Sequence, residues 1–380
     1  MTYENLLRPA VAGAGPYVPG ASAQETKARL GRDDLIRLNW NENLFGPLPG
    51  VVDAAAAALP GAWAYPEEAY EEFRHAVAAW SGAEPAEVIP GHGIQALTLS
   101  LAATFIETGD RVIVPRPTYG LYAQVCATAG AEVLRVPTDS ALGLDLPAIA
   151  AAARDARAKL VWICDPNNPT GRRLQAAEWA AFLEAIPEGC LVIADEAYVD
   201  YIAPEHRADR LADIRAGRPV VIMRTFSKIF GLAGLRLGYL LVDAALAPHV
   251  NAVQEPFNVN VAALAAGLAS LRGTDQLPGR REQVARARAA LIGALEATAI
   301  RAIPSDANFV LLDLAGDDDL RVADAMARDG ILVRAGTEFG LPGYVRVTTG
   351  EEALMEDVGS RLAALADAGT RGPAGVRGGS

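Results

Sequence analysis

Lys228 is the residue in this chain best placed for covalent chemistry. It lies in Met223-Arg224-Thr225-Phe226-Ser227-Lys228-Ile229-Phe230-Gly231, with Gly234, Arg236 and Gly238 close behind. The apolar run 219–223 reads as a buried strand, so the amine emerges just past its C-terminal end, where open α/β sheets present ligand-binding groups. Thr225 stands three residues before the lysine, Ser227 one before and Arg236 eight after. Two hydroxyls and a guanidinium can grip a phosphate while the amine forms a Schiff base, and the glycines let the backbone approach closely. A solvated loop lysine beside a surface arginine has the same local pattern, so the rest of the chain must decide.

Three further stretches bear on that choice. After the predicted strand 159–164 comes Asp165-Pro166-Asn167-Asn168-Pro169-Thr170-Gly171, a turn that aims the Asn168 amide into the mouth of the sheet. After the predicted strand 190–194 comes Asp195-Glu196-Ala197-Tyr198. A lone carboxylate at the end of a buried strand is costly, and a protonated pyridine nitrogen would relieve it. Tyr198 and Asn168 could both reach a phenolate oxygen on the same ring. Upstream, Gly91-His92-Gly93-Ile94-Gln95-Ala96-Leu97 opens a helix with glycines, which leaves free N–H groups at the positive end of the helix dipole. Each motif alone is common. Their order along the chain, cradle then Asn then Asp then Lys, favours one shared ligand.

The elements needed to position these residues follow from periodicity. Residues 66–81 place Phe73, Val77 and Trp80 at helical spacing, and 94–105 repeats this with Ile94, Leu97, Leu101 and Phe105. Strands at 111–115, 132–136, 159–164, 190–194, 219–223 and 237–242 alternate with helices at 119–129, 145–156 and 175–186. This alternation predicts an α/β fold with a mostly parallel sheet covered on both faces. Beyond Asp243 come Ala-rich helices at 258–272 and 277–298, short strands near 308–313, 331–334 and 344–348, and a last helix at 351–366. The expected organisation is an N-terminal arm (1–48) joined to the small unit, a large unit (49–255), a smaller α+β unit (256–366) and a flexible tail (367–380).

The totals exclude several classes. A chain of 380 residues with 51% hydrophobic and 21% charged residues is an ordinary globular protein large enough for two cores. A net charge of -12 argues against a nucleic-acid partner. Cys126, Cys164 and Cys190 lack metal or disulfide spacing, and the four histidines form no spaced cluster, so no metal site is expected. There is no apolar signal segment and no run long enough to span a bilayer. These features predict a cytoplasmic protein.

The ordered motifs together resemble the fold-type I pyridoxal-phosphate aminotransferases of class I/II, over about residues 6 to 366. The resemblance implies a seven-stranded, mostly parallel sheet sandwiched by helices and pyridoxal 5'-phosphate as cofactor. It makes Lys228 the lysine that binds the cofactor, Asp195 the partner of the ring nitrogen, and Asn168 and Tyr198 the contacts of its phenolic oxygen. Thr225, Ser227, Arg236 and the backbone of Gly93, Ile94 and Gln95 would hold the phosphate, and Tyr119 would stack on the ring. Tyr65 matches a tyrosine that reaches the partner subunit's phosphate site, which implies a homodimer. Arg346 matches the arginine that binds the substrate carboxylate. Amino acid and 2-oxo acid would exchange in ping-pong order.

Finer features resemble the histidinol-phosphate aminotransferase branch: Tyr17-Val18-Pro19-Gly20 in the arm, Leu38-Asn39-Trp40-Asn41-Glu42-Asn43, Pro117-Thr118-Tyr119 with Tyr122, and Arg334. By that resemblance Tyr17, Asn43, Arg334 and Arg346 face the substrate, and Tyr17 and the arm reach toward the partner site. Two positions depart from the pattern. The cradle reads Gly93-Ile94-Gln95-Ala96 where Gly-small-Asp-Glu is usual, and Leu44 replaces the proline after N-E-N. Aromatic amino acid aminotransferases share nearly all these motifs, and a phospho-amino-acid decarboxylase on the same fold would share Lys228 and Asp195. A non-catalytic cofactor sensor would need a DNA-binding domain, for which the arm before Trp40 is too short and too acidic.

Overall fold

The computed structural model describes residues 6–15 and 22–370. Its centre is a seven-stranded sheet in the order Val88–Gly91, Gly238–Leu241, Val220–Thr225, Leu191–Asp195, Leu160–Cys164, Arg111–Arg116, Glu132–Pro137. Gly238–Leu241 alone runs antiparallel to its neighbours. The other six strands are parallel, as the alternation of strand and helix requires. The strands Val88–Gly91 and Leu160–Cys164 are buried throughout, so both sheet faces carry apolar side chains. One face packs with Ile113, Val161, Val192 and Ile222, the other with Val112, Trp162, Ile193 and Met223.

A second core lies under the four-stranded antiparallel sheet of Arg334–Ala335, Tyr344–Thr348, Phe309–Asp313 and Arg301–Ala302. It collects Leu291, Val310, Leu312, Met326, Val345 and Val358 with Leu38 from the arm. The helix Val261–Arg272 buries Ala263 and Ala266 in the core of the seven-stranded sheet.

Several boundaries differ from the sequence expectation, each for a local reason. The seventh strand, Val88–Gly91, is short and carries Pro90 and Gly91, which mask a strand pattern. The arm contains the helix Ala23–Leu30, opened by a capping box between Ser22 and Glu25. The helices Val51–Ala58, Arg210–Arg215 and Asp319–Arg328 lie in stretches where the periodicity named no element. The expected strand 331–334 is two bridges: Ile331–Leu332 pairs in parallel with Ile36–Arg37, while Arg334–Ala335 joins the four-stranded sheet. The last helix, Glu352–Thr370, runs past the expected start of the tail at 367; residues 371–380 lie outside the described residues.

Among the described residues no helix is long and apolar enough to cross a membrane, and no group of His, Cys, Asp or Glu is placed to hold a metal ion. All three cysteines are buried and unpaired, and all belong to the part of the chain that builds the seven-stranded sheet.

Candidate active site

The C-terminal ends of the parallel strands open into a cavity of about 800 Å³ that also meets the arm and the four-stranded sheet. Lys228, Asp195, Asn168, Tyr198, Tyr119, Thr225, Ser227, Arg236, Arg334 and Arg346 line it, as do Ile94 and Gln95. Strand ends separated by long crossovers converge here because parallel strands place all their C-termini on one side.

Asp195 and Glu196 are adjacent and both buried, yet they are treated oppositely. Glu196 lies between Arg210 at 2.6 Å and Arg224 at 2.7 Å, and Arg210 also pairs with Asp165. Asp195 makes no ion pair with any described residue; its Oδ2 accepts from the Tyr122 hydroxyl and its Oδ1 from the Ala197 N–H at 2.9 Å. Burial pushes its carboxyl up to about 6, against the opposing pull of those two donors. A cation placed at this carboxylate would remove the penalty.

Lys228 Nζ donates to the carbonyl of Asn41 at 2.9 Å and sits 5.4 Å from the centre of the Tyr198 ring. Burial, and then the nearby Arg346, push the ammonium down to about 8. About a tenth of the amine is therefore neutral at pH 7, far more than for an ordinary lysine, and the neutral form is the one that attacks a carbonyl and accepts a proton. The Tyr198 hydroxyl accepts from Asn41 Nδ2 at 3.0 Å.

The expected phosphate cradle corresponds to the start of the helix Gly93–Phe105, which faces Arg236. Gly93 has φ +75°, and a Cβ there would lie 2.8 Å from Arg236 Nη2. Arg236 is oriented by Ala233 O at 2.9 Å and Gln95 Oε1 at 3.2 Å, and Gln95 in turn donates to the Tyr119 hydroxyl at 3.2 Å. Thr225 Oγ1 and Ser227 Oγ lie 3.0 Å apart on the same wall.

On the other side, Arg346 is 4% exposed. Its guanidinium donates to Asn39 O at 2.6 Å and to Asn168 Oδ1 at 2.5 Å. With its oxygen engaged, the Asn168 amide keeps its N–H groups to offer a ligand. Arg334 lies directly across from Arg346 in the antiparallel register, so the two guanidiniums share one face, with Arg334 held by Glu338 at 3.0 Å.

Two expected site residues stand elsewhere. The Asn43 amide donates to the Ile229 carbonyl at 2.8 Å and does not line the cavity. Tyr65 is 81% exposed and stacks on Phe257 with centroids 4.7 Å apart, outside the cavity of its own chain. Tyr17 lies outside the described residues. Conversely, Asn41 bonds Lys228, Tyr198 and Thr348, although the motif reading singled out Asn43, two residues on. Its φ of 56° marks a fixed bend, and asparagine tolerates that region. Arg116 and Arg135 also line the cavity and carried no sequence signal.

Residues 33–362 match the family Aminotransferase class I and II. A histidinol-phosphate aminotransferase from Symbiobacterium thermophilum is 41% identical over 345 residues, 90% of this chain and 94% of that protein. An aromatic amino acid aminotransferase from Rhodococcus erythropolis is 37% identical over 91% of this chain and 92% of its own length. The crystal structure of a Sinorhizobium meliloti histidinol-phosphate aminotransferase in complex with pyridoxal-5'-phosphate superposes with a TM-score of 0.86 at 27% identity, covering 94% of this chain and 98% of that one. The donor set described above suits that cofactor: a buried carboxylate lacking a cation, a lysine whose ammonium loses its proton more readily than usual, and a glycine cradle facing an arginine and two hydroxyls. The chain belongs to the class I and II aminotransferases, and it is a transaminase whose cofactor is pyridoxal phosphate.

Proposed function

We propose that the amino donor is histidinol phosphate, the acceptor is 2-oxoglutarate, and the enzyme works as a cytoplasmic homodimer. The observation that carries the donor assignment is the pairing of Arg334 with Arg346 across adjacent strands on one wall of the cavity. Two guanidiniums match a phosphate dianion better than they match a lone carboxylate. The names of the curated relatives support the same reading. Trp40, Tyr119 and Phe339 in the cavity suit an imidazole, and they suit a phenyl ring equally well, which keeps an aromatic amino acid as the second reading.

In this reading each residue has a separable task. The bound cofactor supplies an electron sink that makes the substrate Cα–H acidic. Arg346, fixed by Asn39 and Asn168, orients the anionic end of the substrate. Lys228 Nζ takes the Cα proton and later returns it, a role its lowered ammonium pKa suits. Asp195 holds a positive charge opposite itself, while Tyr198 and Asn168 offer donors to a phenolate oxygen. The cradle at Ile94 and Gln95, with Thr225, Ser227 and Arg236 in the cavity wall and Gly93 packed against Arg236, holds a phosphate.

The dimer reading is supported by exposed apolar residues clustered in sequence around Tyr65: Val52, Leu59 and Trp63. A tyrosine outside its own cavity is available to a partner's site.

The test is a donor panel of histidinol phosphate, phenylalanine and tyrosine against 2-oxoglutarate, read as glutamate formed. Histidinol phosphate should give the highest kcat/KM. Carbon dioxide released from phenylalanine or tyrosine without glutamate would overturn transamination, and no glutamate formed from histidinol phosphate, which has no carboxylate to lose, would overturn the donor assignment. Arg346→Ala should raise KM for every donor, whereas Arg334→Ala should do so mainly for the phosphorylated one. Equal effects of both on phenylalanine and histidinol phosphate would contradict these roles.

A further inference from the structure

Five arginines line the one cavity: Arg116, Arg135, Arg236, Arg334 and Arg346. Three have tasks above, in the phosphate cradle and on the Arg334–Arg346 wall. Arg116 and Arg135 have none, and among the described residues neither makes an ion pair, in contrast to Arg334 with Glu338. Unpaired guanidiniums at a cavity wall attract anions without having to break an internal pair first.

Their placement follows from sheet register. In the parallel pairing Val112 stands beside Leu160, and Leu160 beside Leu191. Counting four residues along each strand brings Arg116, Cys164 and Asp195 to the same sheet face, at the strand ends. Arg135 pairs with Val114, two residues before Arg116, and so shares that face on the edge strand. The Arg116 guanidinium reaches toward the loop that follows Arg334: a Cβ on Gly340 would lie 3.1 Å from Arg116 Nη2. Arg116 thus spans the mouth between the seven-stranded sheet and the wall that carries Arg334 and Arg346.

We infer that Arg116, backed by Arg135, binds the second carboxylate of a five-carbon dicarboxylic amino acid or 2-oxo acid, the acceptor class of the ping-pong cycle. This rests on the acceptor half of the proposed function and is independent of the donor. A dicarboxylate whose first carboxylate is held by Arg346 carries its other one away from the reacting carbon, toward the mouth. Arg334 has Glu338 as its partner and serves the donor's phosphate in the reading above, whereas Arg116 makes no ion pair with any described residue and has no other task. A monocarboxylate of equal length leaves Arg116 unused.

Binding of glutarate, pentanoate and histidinol phosphate to the holoenzyme, measured by calorimetry, tests this in the wild type and in Arg116→Gln, Arg116→Lys and Arg135→Gln. Cofactor absorbance per chain monitors folding. Arg116→Gln should weaken glutarate about tenfold, with pentanoate changed less than about twofold. Arg116→Lys should recover part of the loss because it keeps the charge, Arg135→Gln should give a smaller loss, and added salt should weaken glutarate more than pentanoate. Equal losses for glutarate and pentanoate, or no loss for either, would overturn the inference. So would a loss for histidinol phosphate as large as that for glutarate, which would make this a phosphate subsite. A wild type that binds glutarate no tighter than pentanoate would remove both the inference and the acceptor assignment. Failure to transaminate histidinol phosphate would remove the donor assignment and leave the subsite standing.

Discussion

Asp195 sets the terms at the scale of single residues. Its carboxyl, ordinarily near 3.8, is raised to about 6 in the fold. A raised acid binds its proton more tightly in the folded chain, so its favourable contribution is complete below about 3.8 and is lost as pH rises through about 6. At pH 7 the cofactor-free protein therefore carries an ionised, unpaired carboxylate. Asp195→Asn should make the cofactor-free protein more stable than wild type at pH 7, by on the order of 2 kcal/mol, with the gap closing below pH 4. Thermal melting across that range checks it; a gap independent of pH would sink the account. Tyr122 acts through the same carboxylate, since its hydroxyl donates to Oδ2 while its ring stacks on Trp162 at 4.7 Å. Tyr122→Phe removes a donor that favours the charged form. The pH at which the bound cofactor changes its absorbance should shift, while cofactor occupancy stays near wild type. The residues that the sequence singled out and the fold brings to one cavity, Lys228, Asp195, Asn168, Tyr198 and Arg236, each lie at or within a few positions of a strand end. Asn41 reaches Lys228 across 187 positions, and nothing local announces such a contact.

At the scale of elements, the cradle depends on how closely the helix Gly93–Phe105 approaches the strand Gly238–Leu241. A Cβ on Gly238 would come within 2.9 Å of Arg224 O and 3.3 Å of Gly93 Cα, so both glycines are needed for that approach. Gly93→Ala adds left-handed backbone strain of about 1–2 kcal/mol to its clash with Arg236. It should weaken cofactor retention about tenfold or more, measurable by dialysis and absorbance. Retention equal to wild type would refute the cradle. Element existence was largely legible because buried strands and amphipathic helices differ in period. What failed were short pieces: Val88–Gly91, disguised by proline and glycine, and Asp319–Arg328, which has Val322 and Met326 buried but Leu320 at the surface. The Ser22–Glu25 capping box was a readable signal for the arm helix.

For the whole molecule, the exposed Tyr65 leads to a complementation experiment. If Tyr65 serves a partner's cavity, Tyr65→Ala and Lys228→Ala chains, each poorly active alone, should form mixed dimers with one fully native site. Unfolding and refolding an equal mixture should restore about a quarter of wild-type activity. No recovery would assign Tyr65 to its own chain or to neither. The register in which the arm docks was the least legible feature, because it pairs Ile36 with Ile331, positions far apart in sequence, in a separate two-stranded sheet. Such contacts depend on the global fold rather than on local propensity.

The three buried thiols make a built-in reporter. Burial pushes Cys126 and Cys190 up to about 12 and Cys164 well above the ordinary thiol range, so none presents a thiolate to solvent in the native state. All three lie in the half of the chain that builds the seven-stranded sheet, and the sequence has no others. The rate of labelling by a disulfide reagent therefore measures how often that half opens, and is silent about the four-stranded sheet. A cysteine introduced at an exposed position such as Leu320 would be the first to react, which gives selective access to the other half without removing any native residue of the core.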